Sequence, residues 1–282
     1  MTTPADVAAA GQLACLLEVS APKPGNVSPE RHFHDTRYED FLASAVAIGP
    51  ALSDATLHPL GTTIRSAVEA TRRWTKSNTN LGIVLLLAPL ARAALRSGGT
   101  LRERLARVLA ETTVADATQV YAAIRHAGPG GLGETAAEDV SDTPTVTLRE
   151  AMALAADRDA VAREYVTDFA LTFEVGVPAV RVARQEGLAW TDAAVEAYLT
   201  LLASTADTHI ARKLGQAEAE SVSRRAGGVR AAGGTRSDAG RKALAALDAE
   251  LRDPRNRRNP GTTADLTCAA LFVVILEGGW DR

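Results

Sequence analysis

Charged and amide side chains are concentrated in one short segment near the start of the chain, "KPGNVSPERHFHD", residues 23–35. Lys23 lies between two prolines, which stiffen the backbone, and Gly25 allows the backbone to approach a ligand closely. His34 and Asp35 end the segment, but a His-x-His-Asp spacing alone is not specific for a metal site. Taken alone, the segment is typical of a long surface loop that ends in a capping aspartate.

Two later segments also differ from the Ala- and Leu-rich background. The segment "KSNTNLG" precedes an apolar stretch, so Asn78 or Asn80 could cap a helix there, and the free amides of the same helix end could also attract an anion. The glycine-rich segment 128–134 has no strand before it and no Lys-Ser/Thr pair after it, so it fits neither the Walker nor the dinucleotide pattern. That segment predicts either a flexible connection or a lid over a phosphate.

The segment "DTHIARKLG" places Asp207 where the N-cap of a helix belongs and puts Arg212 and Lys213 into the first turns of that helix. Basic residues at a helix start oppose the helix dipole, so these two need another reason to be there. A bound polyphosphate would supply one, because Arg in particular suits two-pronged contact with phosphate. The segment therefore predicts a phosphate site.

The segment "NPGTTADL" places Asn259 and Gly261 before a helix and Asp265 in its predicted first turn. A lone aspartate in a first turn is usually a partner of the helix dipole. If the starts of several helices converge, however, Asp35, Asp207 and Asp265 could hold Mg²⁺ on the phosphates of a nucleotide. The sequence alone does not prove that they converge.

Helical periodicity dominates the elements that must position these segments, and strand-type alternation is nearly absent. The segment 81–95 is apolar nearly all round and contains Pro89, which predicts a kinked helix in the centre of a bundle. No linker separates two parts of the chain, so the fold expected is one all-α domain, 1–282, a bundle of about 11–13 helices around a buried central helix. We predict helices near 5–20, 38–53, 58–77, 80–97, 101–110, 113–127, 148–156, 160–174, 178–186, 191–204, 208–226, 238–252 and 263–277.

Composition excludes several classes of protein. A net charge of −3 over 282 residues argues against a nucleic-acid-binding protein, and an aromatic content of 4% argues against a platform for stacking bases. The longest apolar run, Leu81–Ala91, is too short to span a bilayer, and the N-terminus does not resemble a signal peptide. We expect a cytoplasmic protein that binds small molecules and neither nucleic acid nor membrane. The Ala-rich helices leave a homodimer open.

The order of these motifs resembles the triphosphoribosyl-dephospho-CoA synthase family. The resemblance rests on "EVSAPKPGNV", "HD" at 34–35, "FLASAVAIGPAL", "NTNLG", "DTHIARKLG" and "NPGTTADL", and it runs from about residue 11 to residue 277. It implies an all-helical enzyme that joins C1 of the ATP ribose to a ribose hydroxyl of 3′-dephospho-CoA and releases adenine. It also implies a site lined by Lys23, Gly25, His34, Asp35, Asn78, Asn80, Asp207, Asn259, Gly261 and Asp265.

The chemistry that the resemblance implies suits these residue types. Displacing adenine creates an oxocarbenium-like centre, which needs a carboxylate to stabilise positive charge or to accept the proton of the attacking hydroxyl. We expect Asp207 or Asp35 to be that carboxylate. The triphosphate, which stays intact, would be held by Lys23, Arg212 and Lys213.

The sequence also departs from the family pattern. The family motif Asn-Thr-His-Lys-Gly here reads Asn-Thr-Asn-Leu-Gly from Asn78 to Gly82, so a basic pair is missing. In the motif that begins at Asp207, His209 stands where the family usually has Asn. Asp265 would bind a metal ion or orient a basic group. Two alternatives stay open: an enzyme of the same fold with another acceptor, for example in the biosynthesis of a pterin-type C1 carrier, and a non-catalytic helical protein whose polar loops are caps and partner contacts.

Overall fold

The structure is a computed structural model that describes residues 2–128 and 138–280. Over these residues the backbone forms fifteen α-helices, a π-helical segment and a 3-10 turn, with one isolated β-bridge and no strand. The all-α prediction is therefore confirmed. Residues 129–134 of the glycine-rich segment lie outside the described residues, so the prediction of a lid there stays untested.

The helices follow the sequence closely. They are α1 (Pro4–Ser20), α2 (Tyr38–Ala47), α3 (Gly49–Ser53), α4 (Leu60–Arg72), α5 (Leu81–Ala94), α6 (Leu101–Ala110), α7 (Val114–Ala127), α8 (Leu148–Ala155), α9 (Ala160–Val166), α10 (Val177–Gln185), α11 (Trp190–Ser204), α12 (Thr208–Leu214), α13 (Gln216–Ala231), α14 (Asp238–Leu251) and α15 (Gly261–Leu276). The π-helical segment, Leu171–Gly176, precedes α10, and the 3-10 turn, Gly234–Arg236, precedes α14.

Two predicted helices are divided in the structure, which is why the helices outnumber the 11–13 expected. The first division lies before α3, which carries Pro50 in its first turn, where a missing amide proton costs nothing. The second lies at Gly215, whose φ of +92° separates α12 from α13. In the other direction, α13 continues through Gly227 and Gly228 to Ala231, five residues beyond the end predicted at 226.

The described chain forms two compact units, each described by itself. The first unit comprises Met1–Cys15 and Glu39–Phe169, and the second comprises Leu16–Tyr38 and Ala170–Arg282. The prediction of a single domain over 1–282 stays a prediction.

In the first unit, α5 is buried on nearly every side and packs against α3, α4, α6 and α9, as predicted. The helix continues through Pro89, which has no amide proton to donate to the carbonyl oxygen of Leu85. The hydroxyl of Tyr165, a fully buried residue of α9, donates to that oxygen at 2.6 Å. A side chain thus replaces the hydrogen bond that the proline removes.

In the second unit, α11 and α15 form the core. Helix α15 is apolar along most of its length and packs against α10, α11, α12 and the π-helical segment. Gly176 allows the segment to approach closely, because a Cβ there would lie 2.8 Å from Cβ of Ala270. Despite the apolar character of α5 and α15, no helix within residues 2–128 and 138–280 has both the length and the hydropathy needed to cross a membrane.

Candidate functional site

The loop that contains the Lys-Pro-Gly motif contacts the loop that contains the Asn-Pro-Gly motif. Gly25 has a φ of +77°, and a Cβ at this position would lie 2.9 Å from Cβ of Leu251 and 3.1 Å from Cδ of Pro260. Its amide donates to Oδ1 of Asp248 at 2.8 Å. Only glycine combines this backbone conformation with so close an approach, so these two sequence-distant motifs are held together by Gly25.

Further hydrogen bonds fix the same loop. The hydroxyl of Tyr198 donates to the carbonyl oxygen of Pro24 at 2.7 Å, and Nδ2 of Asn26 donates to the Tyr198 hydroxyl oxygen at 3.0 Å. Arg252 donates to the carbonyl oxygen of Asn26 at 2.8 Å. Burial raises the pKa of Tyr198, and the charge of Asp207 adds to the effect, so the phenol keeps its proton and remains a donor.

Lys23 is buried in an ion pair with the end of α1. Its Nζ lies 2.9 Å from Oε1 of Glu18, and it also donates to the carbonyl oxygens of Glu18 and of Ala21, the latter at 3.2 Å. An ammonium group has three protons, so these contacts use its full donor capacity. The predicted contact of Lys23 with phosphate stays a prediction, and it would require Lys23 to exchange partners.

Asp207 joins the starts of two helices. Its Oδ1 accepts from the amides of His209 at 2.9 Å and Ile210 at 3.0 Å, which confirms the predicted N-cap of α12. Its Oδ2 accepts from the amide of Thr263, in the first turn of α15, at 2.8 Å, and from the hydroxyl of the same residue at 2.7 Å. Both oxygens of this buried carboxylate are therefore already engaged.

This arrangement disfavours two of the roles predicted for Asp207. Burial raises its pKa, whereas hydrogen bonds from Thr263, Ile210 and His209 act in the opposite direction. A carboxylate with four accepted hydrogen bonds has little capacity left to bind a metal ion or to take a proton from a substrate.

The predicted metal carboxylates do not form a metal site by themselves. Among the described residues, no group of three or more His, Cys, Asp or Glu side chains is placed to hold a metal ion, so Asp35, Asp207 and Asp265 do not together make one. Asp265 also lies outside the first turn, contrary to expectation, because α15 begins at Gly261. The donor set therefore does not fit a Mg²⁺ ion bound by the protein alone.

Arg212 and Lys213 lie in the last turn of α12, not in its first turns as predicted. The helix ends at Leu214 because Gly215 adopts a positive φ. Cations in a last turn are stabilised by the helix dipole, so the argument that these residues need a bound polyphosphate is wrong. Their availability to an anion has to be judged from their surroundings.

Those surroundings connect several of the predicted segments. Burial lowers the pKa of Lys213 and so does the charge of Arg212, while the carboxylates of Asp253, Asp35 and Asp207 act to raise it. The electrostatic energy of two charges falls as the distance between them grows, so charges that shift this pKa lie near the ammonium group. Lys213 therefore lies within electrostatic reach of carboxylates from three separate segments.

His34 and Asp35 form an exposed pair beside the loop that precedes α15. Their side chains are 62% and 61% exposed, with Nε2 of His34 lying 3.7 Å from Oδ2 of Asp35. Nδ1 of His34 is 3.2 Å from Nδ2 of Asn256. Asp253 fixes this second loop by accepting from the amides of Arg255, Arg257 and Arg258. The Asp35 carboxylate is thus open to solvent, unlike that of Asp207.

His209 and Asn259 flank Gly261 and carry buried polar atoms that have no hydrogen-bond partner. A Cβ on Gly261 would lie 3.5 Å from Cγ and Nδ1 of His209 and 3.6 Å from Nδ2 of Asn259. Nε2 of His209 and Oδ1 of Asn259 are buried without a partner among the described residues. Burial, with the charges of Lys213 and Arg212, lowers the pKa of His209 to about 3, so the imidazole is neutral near pH 7.

Asn78 and Asn80 belong to the first unit and serve the start of α5. Oδ1 of Asn78 accepts from the amide of Leu81 at 3.1 Å, so this side chain caps the helix as predicted. Asn80 is buried, and its Nδ2 donates to Oγ1 of Thr71 at 3.0 Å. A ligand-binding role in addition to capping stays a prediction for both.

Sequence reasoning missed several of these residues. Tyr198 and Asp248 lie within regular helical patterns that give no sign of their contacts with the Lys-Pro-Gly loop. The sequence shows His209 as a departure from the family pattern and gives no sign that its Nε2 is buried without a partner among the described residues. Its position two residues after the Asp207 cap, in a chain with few histidines, is the one signal that could have marked it.

Comparisons with known proteins agree on one family. A family model described as CitG, ATP:dephospho-CoA triphosphoribosyl transferase, matches residues 4–282. A 2-(5′′-triphosphoribosyl)-3′-dephosphocoenzyme-A synthase of Klebsiella pneumoniae is 34% identical over 104 residues. A protein of Stutzerimonas stutzeri assigned the same activity is 35% identical over 108 residues. These alignments cover 37% of this chain and 36% of each relative, so the chain matches about a third of the length of these curated relatives.

A solved structure extends the likeness to the fold. The crystal structure of a proposed triphosphoribosyl-dephospho-CoA synthase from Archaeoglobus fulgidus superposes with a TM-score of 0.66 at 28% identity. The match covers 84% of this chain and 99% of the archaeal one. The helical architecture is therefore shared over most of both chains.

Proposed function

Because the chain belongs to the ATP:dephospho-CoA triphosphoribosyl transferase family, we propose that it transfers the triphosphoribosyl group of ATP to a hydroxyl of 3′-dephospho-CoA and releases adenine. One observation carries the proposal beyond family membership. Within the second unit, three loops far apart in sequence meet: Gly25 packs on Pro260, and Asp207 bonds to Thr263. Three of the loops that the sequence predicts to be chemical thus contact one another.

The proposed reaction balances without an oxidant or reductant. The acceptor hydroxyl oxygen attacks C1 of the ATP ribose, a new C1–O bond forms, and the bond from C1 to N9 of adenine breaks. The electron pair of the broken bond stays on adenine, and the proton lost by the hydroxyl ends on adenine through a base. Positive charge develops at C1 on the way, so a nearby carboxylate lowers the barrier.

Asp35 is the better candidate for that carboxylate. Its side chain is 61% exposed and accepts from the hydroxyl of Thr36 at 3.3 Å, whereas Asp207 is buried and both of its oxygens accept hydrogen bonds within the protein. Asp207 then acts as a positioning residue that holds the starts of α12 and α15 together. Lys213, which lies within electrostatic reach of Asp35, could orient this carboxylate or contact a phosphate.

Magnesium enters this proposal with ATP as part of the substrate. The described side chains do not form a metal site of their own, so most ligands of the ion would be phosphate oxygens and water, as is usual for Mg²⁺. Arg212 and Lys213 supply positive charge for the triphosphate. A cytoplasmic location and a homodimer remain predictions.

The experiment that tests the function is direct. Purified protein is incubated with ATP, Mg²⁺ and 3′-dephospho-CoA, and free adenine is measured by chromatography. We expect adenine release that depends on both nucleotides, a large loss of turnover in Asp35→Asn, and wild-type turnover in Asp54→Asn, a matched change of an exposed aspartate in the first unit. Release that is absent with every acceptor would leave a non-catalytic binding protein as the better account.

A different acceptor is the second candidate, favoured by one observation. Where the family pattern has His-Lys, this chain has Asn80 and Leu81, and both side chains are buried. Neither presents a positive charge to an acceptor phosphate. Adenine release with small-molecule fractions of a cell extract, but none with 3′-dephospho-CoA, would identify this case.

A further inference from the structure

Two side chains beside Gly261 each carry a buried polar atom that has no hydrogen-bond partner among the described residues. Nε2 of His209 and Oδ1 of Asn259 are buried without a partner among the described residues. Both side chains lie within 3.6 Å of the position that a Cβ on Gly261 would occupy. A buried polar atom without a partner is destabilising, so two of them on side chains that flank the same glycine point to a bound group that supplies the missing partners.

The chemistry of the two atoms limits what that group can be. Oδ1 of Asn259 is an acceptor only, so its partner must donate a proton. Nε2 of a neutral imidazole either accepts or donates, depending on the tautomer. Phosphate oxygens carry negative charge and few protons near pH 7, so a phosphate would leave the carbonyl oxygen unpaired. A hydroxyl both donates and accepts, and a ribose carries two adjacent ones.

We propose that His209 and Asn259 form a subsite that binds the ribose hydroxyls of a nucleotide, with each side chain bonded to one hydroxyl. The inference rests on the proposed function, which requires two nucleotides. It goes beyond that function because it assigns His209, a residue outside the set predicted from the sequence, to substrate positioning. Phosphates attached to that ribose would be attracted to Arg212 and Lys213, whose charges act on His209.

A ribose suits this place better than the edge of an adenine base. The cations whose charge acts on His209, Arg212 and Lys213, fit the short distance from a ribose to its own phosphates.

The test couples a change in the protein to a change in the ligand. Dissociation constants are measured by calorimetry for wild type, His209→Phe and Asn259→Leu, with ATP, 2′-deoxy-ATP and 3′-deoxy-ATP. The same series is run with 3′-dephospho-CoA and its 2′-deoxy and 3′-deoxy forms. We expect wild type to lose roughly tenfold in affinity when either bound hydroxyl is removed. Each variant should bind the parent compound and the deoxy compound that lacks its own hydroxyl equally, and should still discriminate against the other deoxy compound.

Two further variants separate binding from folding. His209→Gln places an amide near the position of Nε2, so it should recover part of the discrimination, whereas His209→Asn reaches only the position of Nδ1 and should not. His126→Phe, at an exposed histidine of α7, should behave as wild type. The melting temperature of His209→Phe should be unchanged or higher, since the change removes a buried atom that has no partner.

Each outcome of these measurements supports or overturns the subsite. If the variants lose the preference of wild type for ATP over its deoxy forms, the ribose of the donor occupies the subsite. If they lose the preference for 3′-dephospho-CoA over its deoxy forms, the ribose of the acceptor occupies it. Equal discrimination by wild type and both variants overturns the subsite even when wild type releases adenine. Purine riboside triphosphate, which lacks the amino group of the base, is measured as a further ligand. If wild type discriminates only against this compound, and the variants do not, the two side chains bind a base edge and the ribose subsite is overturned. Coupling without adenine release would instead reject the proposed transferase and keep the subsite.

Discussion

The starts of α5 and α15 share a plan and differ in one respect. Each begins a strongly buried, apolar helix, and each follows a short polar segment that contains two asparagines. At the start of α5, Asn78 caps an amide and Asn80 bonds to Thr71. At the start of α15, Asp207 is fully bonded, but Oδ1 of Asn259 is buried without a partner among the described residues.

Whether its buried polar atoms have hydrogen-bond partners distinguishes a structural polar motif from a functional one. Both motifs are polar because the first amides of a buried helix need acceptors, so polarity alone says nothing about a ligand. The polar side chains at the start of α5 find hydrogen-bond partners within the protein. Oγ1 of Thr79, for example, lies 2.5 Å from Oγ of Ser44. Helix α15 begins with more polar groups than its neighbours satisfy, and that excess is what a substrate could use.

The largest effect should come from Asp207→Asn. An amide can offer only one oxygen, so its NH₂ group must face either the amides of α12 or the donors of Thr263, and two donors would then oppose each other. We expect the free energy of unfolding to fall by about 3 kcal/mol, measured by urea denaturation. At the start of α5, Asn78→Ala removes a single cap and should cost about 1 kcal/mol. Equal losses would contradict the bridging role of Asp207.

The second effect is a pH dependence that only the start of α15 should show. The pKa of His209 is lowered from 6.5 to about 3 in the folded protein. The unfolded state therefore binds a proton that the folded state refuses, so the stabilising contribution is present above pH 6.5 and is lost as the pH falls towards 3. Wild type should lose about 2 kcal/mol relative to His209→Phe between pH 7 and pH 5.

The measurement for this prediction is a set of denaturation curves at several pH values, compared as differences between wild type and variant, so that carboxylates common to both cancel. His126→Phe, at an exposed position, supplies the control and should show little difference across the range. A flat difference for His209→Phe would mean that the imidazole is not held neutral by burial and by Arg212 and Lys213.

A matched pair of substitutions tests the comparison itself. Asn80→Leu breaks a buried hydrogen bond and leaves the hydroxyl of Thr71 without that donor, so it should cost about 1–2 kcal/mol. Asn259→Leu removes an oxygen that has no partner, so the free energy of unfolding should change by less than about 0.5 kcal/mol. Adenine release should nevertheless fall in Asn259→Leu. The opposite order of stabilities would show that the two helix starts were assigned the wrong way round.

Much of the fold could be predicted because it follows from local rules. The apolar periphery of α5 predicted its burial, and Asp207 before a polar-apolar run predicted a cap, since both depend on nearby residues only. The end of α12 could not be predicted, because it depends on Gly215 adopting a positive φ, which sequence permits but does not require. Because α12 ends before Gly215, Arg212 and Lys213 lie in its last turn and not in the first turns of a longer helix, as the sequence predicts.

The sequence motifs identify residues of the candidate site but do not predict what each residue contacts. The sequence marked Lys23 and Asp207 as chemical residues, yet Lys23 bonds to Glu18 and Asp207 to Thr263. Those partners are brought close only by the tertiary fold. His209 shows the converse, because its importance lies in a partner it lacks, and an unmet hydrogen bond leaves no trace in a sequence.

The last substitution should leave the protein as stable as wild type or more stable, and should nevertheless lower its activity. Gly261 is the first residue of α15, and a Cβ there would meet His209 and Asn259 at ordinary contact distances of 3.5–3.6 Å. Gly261→Ala should therefore leave the free energy of unfolding unchanged or raise it by up to about 1 kcal/mol. The methyl group would nonetheless occupy space against the two side chains that carry the unpartnered atoms. Gly228→Ala, at a helical glycine with open space around it, is the matched control for the backbone effect. Adenine release that falls in Gly261→Ala and not in Gly228→Ala would mark that space as part of the substrate site. Equal release from both would mean that the two buried atoms go unmet in the working enzyme as well, and the start of α15 would then differ from that of α5 only in being less completely bonded.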